Sequence, residues 1–166
     1  MVDYNPVWQE RFELRAAELR RALGDRARLV EHIGSTSVPG LVAKPIVDIV
    51  LGIDDPDDER AYLPDLERLG YDLRVREPRH RCLRIGDPEE PVNLHCYPPD
   101  RAEVHRYLAF RDRLRASESD RERYAAVKRE LVRRQWRDIN YYAEAKSSVI
   151  DEIIARSDRD VPPRIG

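Results

Sequence analysis

The segment from His32 to Asp48 constrains the fold most, because it joins two strand-like stretches through a loop of small residues. The apolar stretch that ends at Ile33 is followed by Gly34 and a run of hydroxyl residues. Glycine lets a backbone approach a ligand closely, and the amides and hydroxyls of such a loop can hold phosphate oxygens. A carboxylate on the next strand can hold the divalent cation that accompanies a phosphate. The segment therefore predicts a site for a phosphorylated ligand.

The composition is that of one globular domain with a highly charged surface. Hydrophobic residues make up 41% and charged residues 37% of the 166 residues, which is enough apolar material for a core. The net charge of -2 gives no electrostatic argument for nucleic acid, which is not expected as a partner. We expect a single domain over residues 1–156 and a flexible tail over 157–166, which contains Pro162-Pro163.

Cysteine content and hydropathy indicate the reducing cytoplasm. Cys82 and Cys96 form no CxxC pair, so free buried thiols are expected, although a contact across neighbouring strands is also open. No stretch approaches the ~20 apolar residues of a membrane span. The N-terminus lacks the pattern of a secretory signal. We expect a cytoplasmic protein with no membrane partner, and the oligomeric state stays open.

The chain alternates between strand and helix patterns up to about residue 100 and is helical afterwards. A helix is expected from Asn5-Pro6, a favourable helix start, to Gly24, a favourable helix stop. Residues 38–44 are open to interpretation as a short helix or a loop. Strands are predicted over 28–33, 46–51, 71–77, 81–85 and 92–97, and helices over 63–69 and in three segments after residue 100. The pattern predicts an α+β fold with a mixed sheet, helices on one face and a C-terminal helical bundle.

Asp48 lies within an almost wholly apolar strand. Alternation places it on the side of the strand away from Val47 and Ile49. A lone carboxylate there is costly unless its charge has a partner. The partner is either a metal or ligand, or backbone or arginine hydrogen bonds at a strand end.

A second polar side is expected on strand 92–97, where Asn93, His95 and Tyr97 share one side and should line an open cleft. His95 is a candidate metal ligand or general base, and an ordinary hydrogen-bonded histidine is the alternative. His32 has the same alternatives, and it would fix the glycine loop through a hydrogen bond if it binds nothing. The remaining histidines, His80 and His105, have no supporting context and are expected at the surface.

Four cations are candidate phosphate ligands. Lys44 precedes the strand that carries Asp48, and a solvated lysine is the alternative. Arg81 and Arg84 lie on opposite sides of their strand, so only one can face the cleft. Arg111, one helical turn from Arg115, could form a phosphate fork, and intrahelical pairing explains it equally well. The fourth is Lys146, which shares a helix face with Tyr142.

The loop contains neither a Walker A motif nor a Rossmann fingerprint. Gly34-Ser35 followed by Asp48 instead resembles the nucleotidyltransferase superfamily related to DNA polymerase beta. In that superfamily a Gly-Ser turn holds the triphosphate, and three carboxylates hold two magnesium ions.

The chain resembles the GrpB family of small nucleotidyltransferase-like proteins more specifically, and the resemblance covers nearly the whole chain. The family is also found fused behind dephospho-CoA kinase. The longest matching run is His32 to Leu41, which reads HIGSTSVPGL. Further matching motifs are Tyr4-x-Pro6-x-Trp8, Ala43-Lys44-Pro45-Ile46-x-Asp48, Leu69-Gly70-Tyr71, Leu94-His95, Phe110-Arg111-Asp112, Tyr124-x-x-x-Lys128 and Tyr142-x-x-x-Lys146.

The resemblance implies a site with an incomplete carboxylate set. Position 50, where a second carboxylate belongs, is Val50, and strand 92–97 offers Asn93 and His95 in place of an acid. Asp48 and His95 are the expected catalytic residues and ligands of Mg²⁺ or another divalent metal. The expected phosphate-binding residues are Gly34, Ser35, Thr36, Ser37, Lys44, Arg81, Arg111 and Lys146. The expected partner is a small phosphorylated molecule. The protein either transfers a nucleotidyl group to a small acceptor or, without chemistry, binds a nucleotide, a CoA-like metabolite or a partner protein.

Overall fold

The computed structural model describes residues 1–133 and 139–159 of the chain. The chain divides into two compact units, Met1–Tyr107 and Leu108–Gly166. The single domain that the sequence predicts over residues 1–156 stays a prediction. Each unit is described below by itself.

The first unit is built on a five-stranded mixed sheet, as predicted. The strands are β1 (Leu29–Ile33), β2 (Val47–Gly52), β3 (Asp72–Glu77), β4 (His80–Ile85) and β5 (Val92–Tyr97). Their order across the sheet is β1-β2-β5-β4-β3. The pair β2–β5 is parallel and the other pairs are antiparallel. All five strands therefore form within one or two residues of the bounds that the apolar patterns predict.

Helices α1 (Val7–Leu23) and α2 (Leu63–Arg68) cover the apolar face of the sheet. Helix α1 begins where the Val7 amide donates to Oδ1 of Asn5, at 3.0 Å. It buries one side chain on nearly every turn, because apolar residues recur at helical spacing. The shared core contains Trp8, Phe12, Ala16, Leu19 and Leu23 from α1, with Val47, Ile49, Leu51, Leu83, Val92, Leu94 and Cys96 from the sheet.

The connection from β1 to β2 is a loop, which settles the open interpretation of residues 38–44. Ser35–Ser37 forms a single 3₁₀ turn directly after Gly34. The chain then passes through an isolated bridge between Ala43 and Val2 before β2 begins. The loop therefore returns the chain to the same end of the sheet at which β1 finishes.

The second unit contains helices α4 (Glu118–Arg133) and α5 (Ile139–Arg159) together with the end of α3 (Ala102–Ala116). Asp120 is 1% exposed and accepts hydrogen bonds from Nε of Arg113 at 2.6 Å and Nη1 of Arg156 at 2.9 Å. Because one carboxylate binds arginines from two other helices, it ties the three helices together. Helix α5 extends to Arg159, and the rest of the predicted tail, 160–166, lies outside the described residues.

Two smaller expectations concern the cysteines and the membrane. Cys82 and Cys96 are both free, as expected, with Cys96 buried in the core and Cys82 half-buried. Across the described residues, none of the helices combines the length and the hydropathy needed to traverse a lipid bilayer.

Candidate functional site

The strand register collects polar side chains on the face of the sheet that α1 and α2 leave uncovered. Asp48 pairs with Asn93 across β2 and β5, and Asn93 pairs with Arg84 across β5 and β4. One step along, His95 lies opposite Cys82. Residues opposite each other on neighbouring strands project on the same side. These five residues, called the polar face below, therefore lie on one surface.

Gly34 brings the loop after β1 directly against the carboxylate of Asp48. Its φ of +73° and ψ of -176° fall in a region that only glycine adopts readily. A Cβ at this position would lie 2.7 Å from Oδ2 of Asp48, closer than two such atoms can approach. The missing side chain is therefore what lets the glycine loop and the carboxylate meet.

Thr36 and Ser37 hold the loop together, which corrects the expectation that their hydroxyls face a ligand. Both residues are 2% exposed. The Ser37 hydroxyl donates to the Gly34 carbonyl at 2.5 Å, and the Thr36 hydroxyl donates to the Ile46 carbonyl at 3.0 Å. Ser35 is half-buried and is the most accessible hydroxyl of the three.

His32 lies on the face of the sheet that α1 covers, and it contacts the loop after β1 from that face. Its ring stacks on Phe12 with 4.8 Å between centroids, and its Nε2 lies 3.0 Å from the Thr36 hydroxyl. The residue is 1% exposed. The structure therefore favours the interpretation that His32 fixes the glycine loop. It does so through the Thr36 hydroxyl rather than through a backbone group.

Asp48, Asn93 and His95 form the centre of the polar face. The Asn93 amide donates to Oδ1 of Asp48 at 2.9 Å, and Nε2 of His95 lies 3.9 Å from the same oxygen. The Asp48 and His95 side chains are 28% and 23% exposed, so both remain accessible. Burial opposes the charge of His95, but the Asp48 carboxylate and the Cys82 thiol outweigh it and raise its pKa to about 9. His95 is consequently an imidazolium at neutral pH.

His80 packs beside the polar face and is mostly buried, so the expectation that it is an exposed surface residue is wrong. Its ring stacks on Tyr97 at 4.2 Å and lies 5.9 Å from the ring of His95, and its side chain is 13% exposed. Glu77 accepts a hydrogen bond from Nδ1 of His80 at 2.9 Å if that nitrogen carries the proton. No sequence pattern places His80 beside Tyr97; the pairing of β4 with β5 in the sheet does so. His105 is exposed, as predicted.

Arg81 is on the other side of the sheet, which corrects its assignment to the phosphate-binding set. It pairs with the core residue Cys96 and is 6% exposed. Its guanidinium binds two acids, with Nε 2.6 Å from Glu59 and Nη1 3.2 Å from Asp57. Arg81 therefore lies on the side of the sheet that carries the core. Arg84 is the arginine of β4 that lies on the polar face.

The other predicted cations lie in the loop before β2 and in the second unit. Lys44 is exposed in the loop just before β2. Arg111 and Lys146 belong to the second unit, where Nε of Arg111 donates to Asp112 at 2.8 Å. Their roles as phosphate ligands stay predictions.

The donor set around Asp48 does not fit two magnesium ions. Val50 is fully buried, and Asn93 donates an amide where a third carboxylate would be needed. Among the described residues, no group of three or more His, Cys, Asp or Glu side chains is placed to hold a metal. Mg²⁺ prefers oxygen ligands in a near-octahedral arrangement, and the polar face offers a single carboxylate. A single cation shared between Asp48 and a phosphorylated ligand fits these residues.

Comparison with known proteins finds relatives of this chain in several bacteria. It is 48% identical over 160 residues to a UPF0157 protein of Halalkalibacterium halodurans, and the match covers 95% of this chain and 81% of that protein. It is also 28% identical over 173 residues to a dephospho-CoA kinase of Mycolicibacterium paratuberculosis, and that match covers 88% of this chain and 42% of that protein.

Solved structures agree with this placement. The crystal structure of conserved protein GrpB from Enterococcus faecalis matches with a TM-score of 0.80 and 33% identity, over 95% of this chain and 96% of that one. A structure of the Cid1 poly(U) polymerase matches with a TM-score of 0.59 and 16% identity, over 86% of this chain and 49% of that one. The second likeness shows a nucleotidyltransferase-like fold. Because the GrpB protein family model matches residues 1–156, the chain belongs to the GrpB family.

Proposed function

We propose that this protein binds a nucleoside triphosphate at the polar face and transfers its nucleotidyl group to a small acceptor. The observation that carries the proposal is the contact between Gly34 and the Asp48 carboxylate, since a Cβ there would lie 2.7 Å from Oδ2. A glycine loop directly beside an accessible carboxylate suits a phosphate chain and its counter-ion. The nucleotidyltransferase-like fold supports the same ligand class.

The proposed reaction joins an acceptor oxygen to the α-phosphorus of the nucleotide. The bond from that phosphorus to the bridging oxygen breaks, and pyrophosphate leaves with the bonding electrons. The Gly34 loop and Ser35 would hold phosphate oxygens, and the His95 imidazolium would neutralise the negative charge that develops. The acceptor proton would leave to solvent.

We further propose that Asp48 holds one divalent cation, Mg²⁺ or another, that arrives with the nucleotide. Such a cation supplies Lewis-acid polarisation of a phosphate oxygen. His95 can act as a second ligand only in its neutral form, because an imidazolium has no free lone pair. Nε2 of His95 lies 3.9 Å from Oδ1 of Asp48, so the two atoms are close enough to bind the same cation.

A second candidate function is binding without chemistry. It is favoured by Val50 and Asn93, which occupy the positions where the superfamily has its other carboxylates. On this proposal the same site holds a nucleotide or a CoA-like phosphorylated metabolite, or the protein acts as a partner-binding module. The relative named as a dephospho-CoA kinase makes CoA-type metabolites reasonable probes.

One experiment separates the two candidates. The protein is melted with nucleoside triphosphates and CoA metabolites, each with and without Mg²⁺ and Mn²⁺, and pyrophosphate release is then measured with small hydroxyl and amine acceptors. A ligand at a hundredfold excess over its Kd stabilises by about 2.7 kcal/mol, which a melting curve resolves. Stabilisation with pyrophosphate release supports transfer. Stabilisation without release, independent of metal, supports binding without chemistry. No stabilisation by any phosphorylated probe contradicts both transfer and metabolite binding, and leaves the partner-binding module.

Asp48→Ala tests the site, with Asp54→Ala as its matched control. Asp54 is an exposed aspartate whose ion pair with Arg28 is long, at 3.7 Å, so its loss should leave ligand binding intact. Asp48→Ala should abolish transfer and metal-dependent stabilisation while the fold is retained. Equal activity in the two variants would contradict the assignment of Asp48.

A further inference from the structure

The register of the sheet places one arginine in line with the centre of the polar face. Asp48 pairs with Asn93, and Asn93 pairs with Arg84, so the three residues form one row across β2, β5 and β4. Neighbouring strands lie about 4.8 Å apart, which puts the Arg84 backbone about 10 Å from that of Asp48. All three side chains project on the same side of the sheet.

Arg84 is exposed, and its guanidinium is not committed to another group. Among the described residues its side chain makes no hydrogen bond or ion pair. The nearest acid by register is Asp72 on β3, whose carboxylate lies 3.7 Å from Arg74. Arg81 on the same strand shows the contrast, since it is buried and binds both Glu59 and Asp57.

We propose that Arg84 binds the outer phosphates of the ligand, and that the site therefore selects phosphate chains of two or more groups over a monophosphate. This proposal rests on the proposed function. A chain that begins at the Gly34 loop and passes over Asn93 reaches the guanidinium of Arg84. A guanidinium binds two phosphate oxygens at once through its planar fork of donors, and it remains charged at any pH at which the protein folds.

The test is calorimetric binding of ATP, UTP, AMP and inorganic tripolyphosphate to the intact chain. Hydrogen bonds between charged partners contribute about 1.5–3 kcal/mol, so Arg84→Ala should weaken binding of the triphosphates by about tenfold or more. Binding of AMP, which does not extend to Arg84, should change less than threefold. Arg84→Lys should recover part of the triphosphate affinity, because lysine keeps the charge without the fork.

Arg28→Ala is the control for loss of one positive charge. Arg28 is also exposed, it precedes β1 near the opposite end of the sheet, and its carboxylate partner Asp54 is 3.7 Å away. If Arg84→Ala and Arg28→Ala bind triphosphates equally well, the Arg84 proposal is overturned and the proposed function stands. If the unmodified protein binds none of the four probes, the proposed function fails and this proposal fails with it. Melting curves of each variant confirm that the fold is retained.

Discussion

Replacing Gly34 with alanine should damage stability and the candidate site together. The backbone at Gly34, with φ +73° and ψ -176°, lies in a region that costs other residues about 1–3 kcal/mol. The new Cβ would also lie 2.7 Å from Oδ2 of Asp48, so the carboxylate must move. Its displacement would break the 2.9 Å hydrogen bond from Asn93, a loss of about 1–3 kcal/mol.

Gly70→Ala provides the control that separates the two contributions. Gly70 has φ +92°, and a Cβ there would meet nothing within 4 Å. Its replacement therefore costs backbone strain without a collision. Gly34→Ala should lower the free energy of unfolding by about 1–3 kcal/mol more than Gly70→Ala does, because only the first variant displaces a hydrogen-bonded carboxylate.

Urea denaturation of the two variants measures the difference, with the unfolding slope used to check that the denatured states are alike. The same proteins should then be tested with ATP and Mg²⁺ in a melting experiment. Gly70→Ala should retain any stabilisation by the ligand and Gly34→Ala should lose it. Equal destabilisation, with ligand response intact in both, would refute the argument that the loop and Asp48 are packed against each other.

Three further predictions concern charged groups of the first unit. Arg81→Ala should cost about 1–3 kcal/mol in urea denaturation, because it removes a buried guanidinium that pairs with Glu59 and Asp57 and leaves Glu59 with a single arginine partner, Arg76. Arg84→Ala, at an exposed position, should cost less than about 0.5 kcal/mol. Hydrogen bonds from Arg76 and Arg81 lower the pKa of Glu59 to about 2, so its contribution to stability is complete above pH 4.5 and is lost as the pH falls toward 2. Glu59→Gln should make the free energy of unfolding less dependent on pH between 4.5 and 2. An unchanged pH dependence in that range would contradict the pairing of Glu59 with Arg76 and Arg81. The pKa of His95 is raised from 6.5 to about 9, so its contribution is complete below pH 6.5 and is lost as the pH rises through 9. His95→Gln should remove the loss of stability at alkaline pH. An NMR titration that gives His95 a pKa below 7 would contradict this assignment.

Hydrophobic periodicity was sufficient to predict the helices and strands of the first unit. The apolar stripe from Trp8 to Leu23 gives α1 its length and its buried face. The apolar run of β2 predicts a buried strand, and Asp48 is its one charged residue. Local patterns of this kind depend on residues a few positions apart, so the sequence displays them directly.

Register was the part that the sequence could not supply. Alternation shows that Arg81 and Arg84 face opposite ways, but only the pairing of β4 with β5 decides which of them joins Asp48. The same pairing turns His80 toward Tyr97. The loop hydroxyls posed a different difficulty, since Thr36 and Ser37 are as well suited to bonding backbone carbonyls as to bonding phosphate.

The order of the strands has a consequence for how the protein is made. β5 lies between β2 and β4, so Asn93 meets Asp48 across 45 positions of the chain. During synthesis β2 can pair with β5 only after β5 has emerged from the ribosome. Closing the 45-residue separation between Asp48 and Asn93 costs chain entropy before their contact forms. A nascent chain that stops short of β5 contains the glycine loop and Asp48 but lacks Asn93, which donates a hydrogen bond to that aspartate. The polar face is consequently complete only after β4 and β5 have both been synthesised.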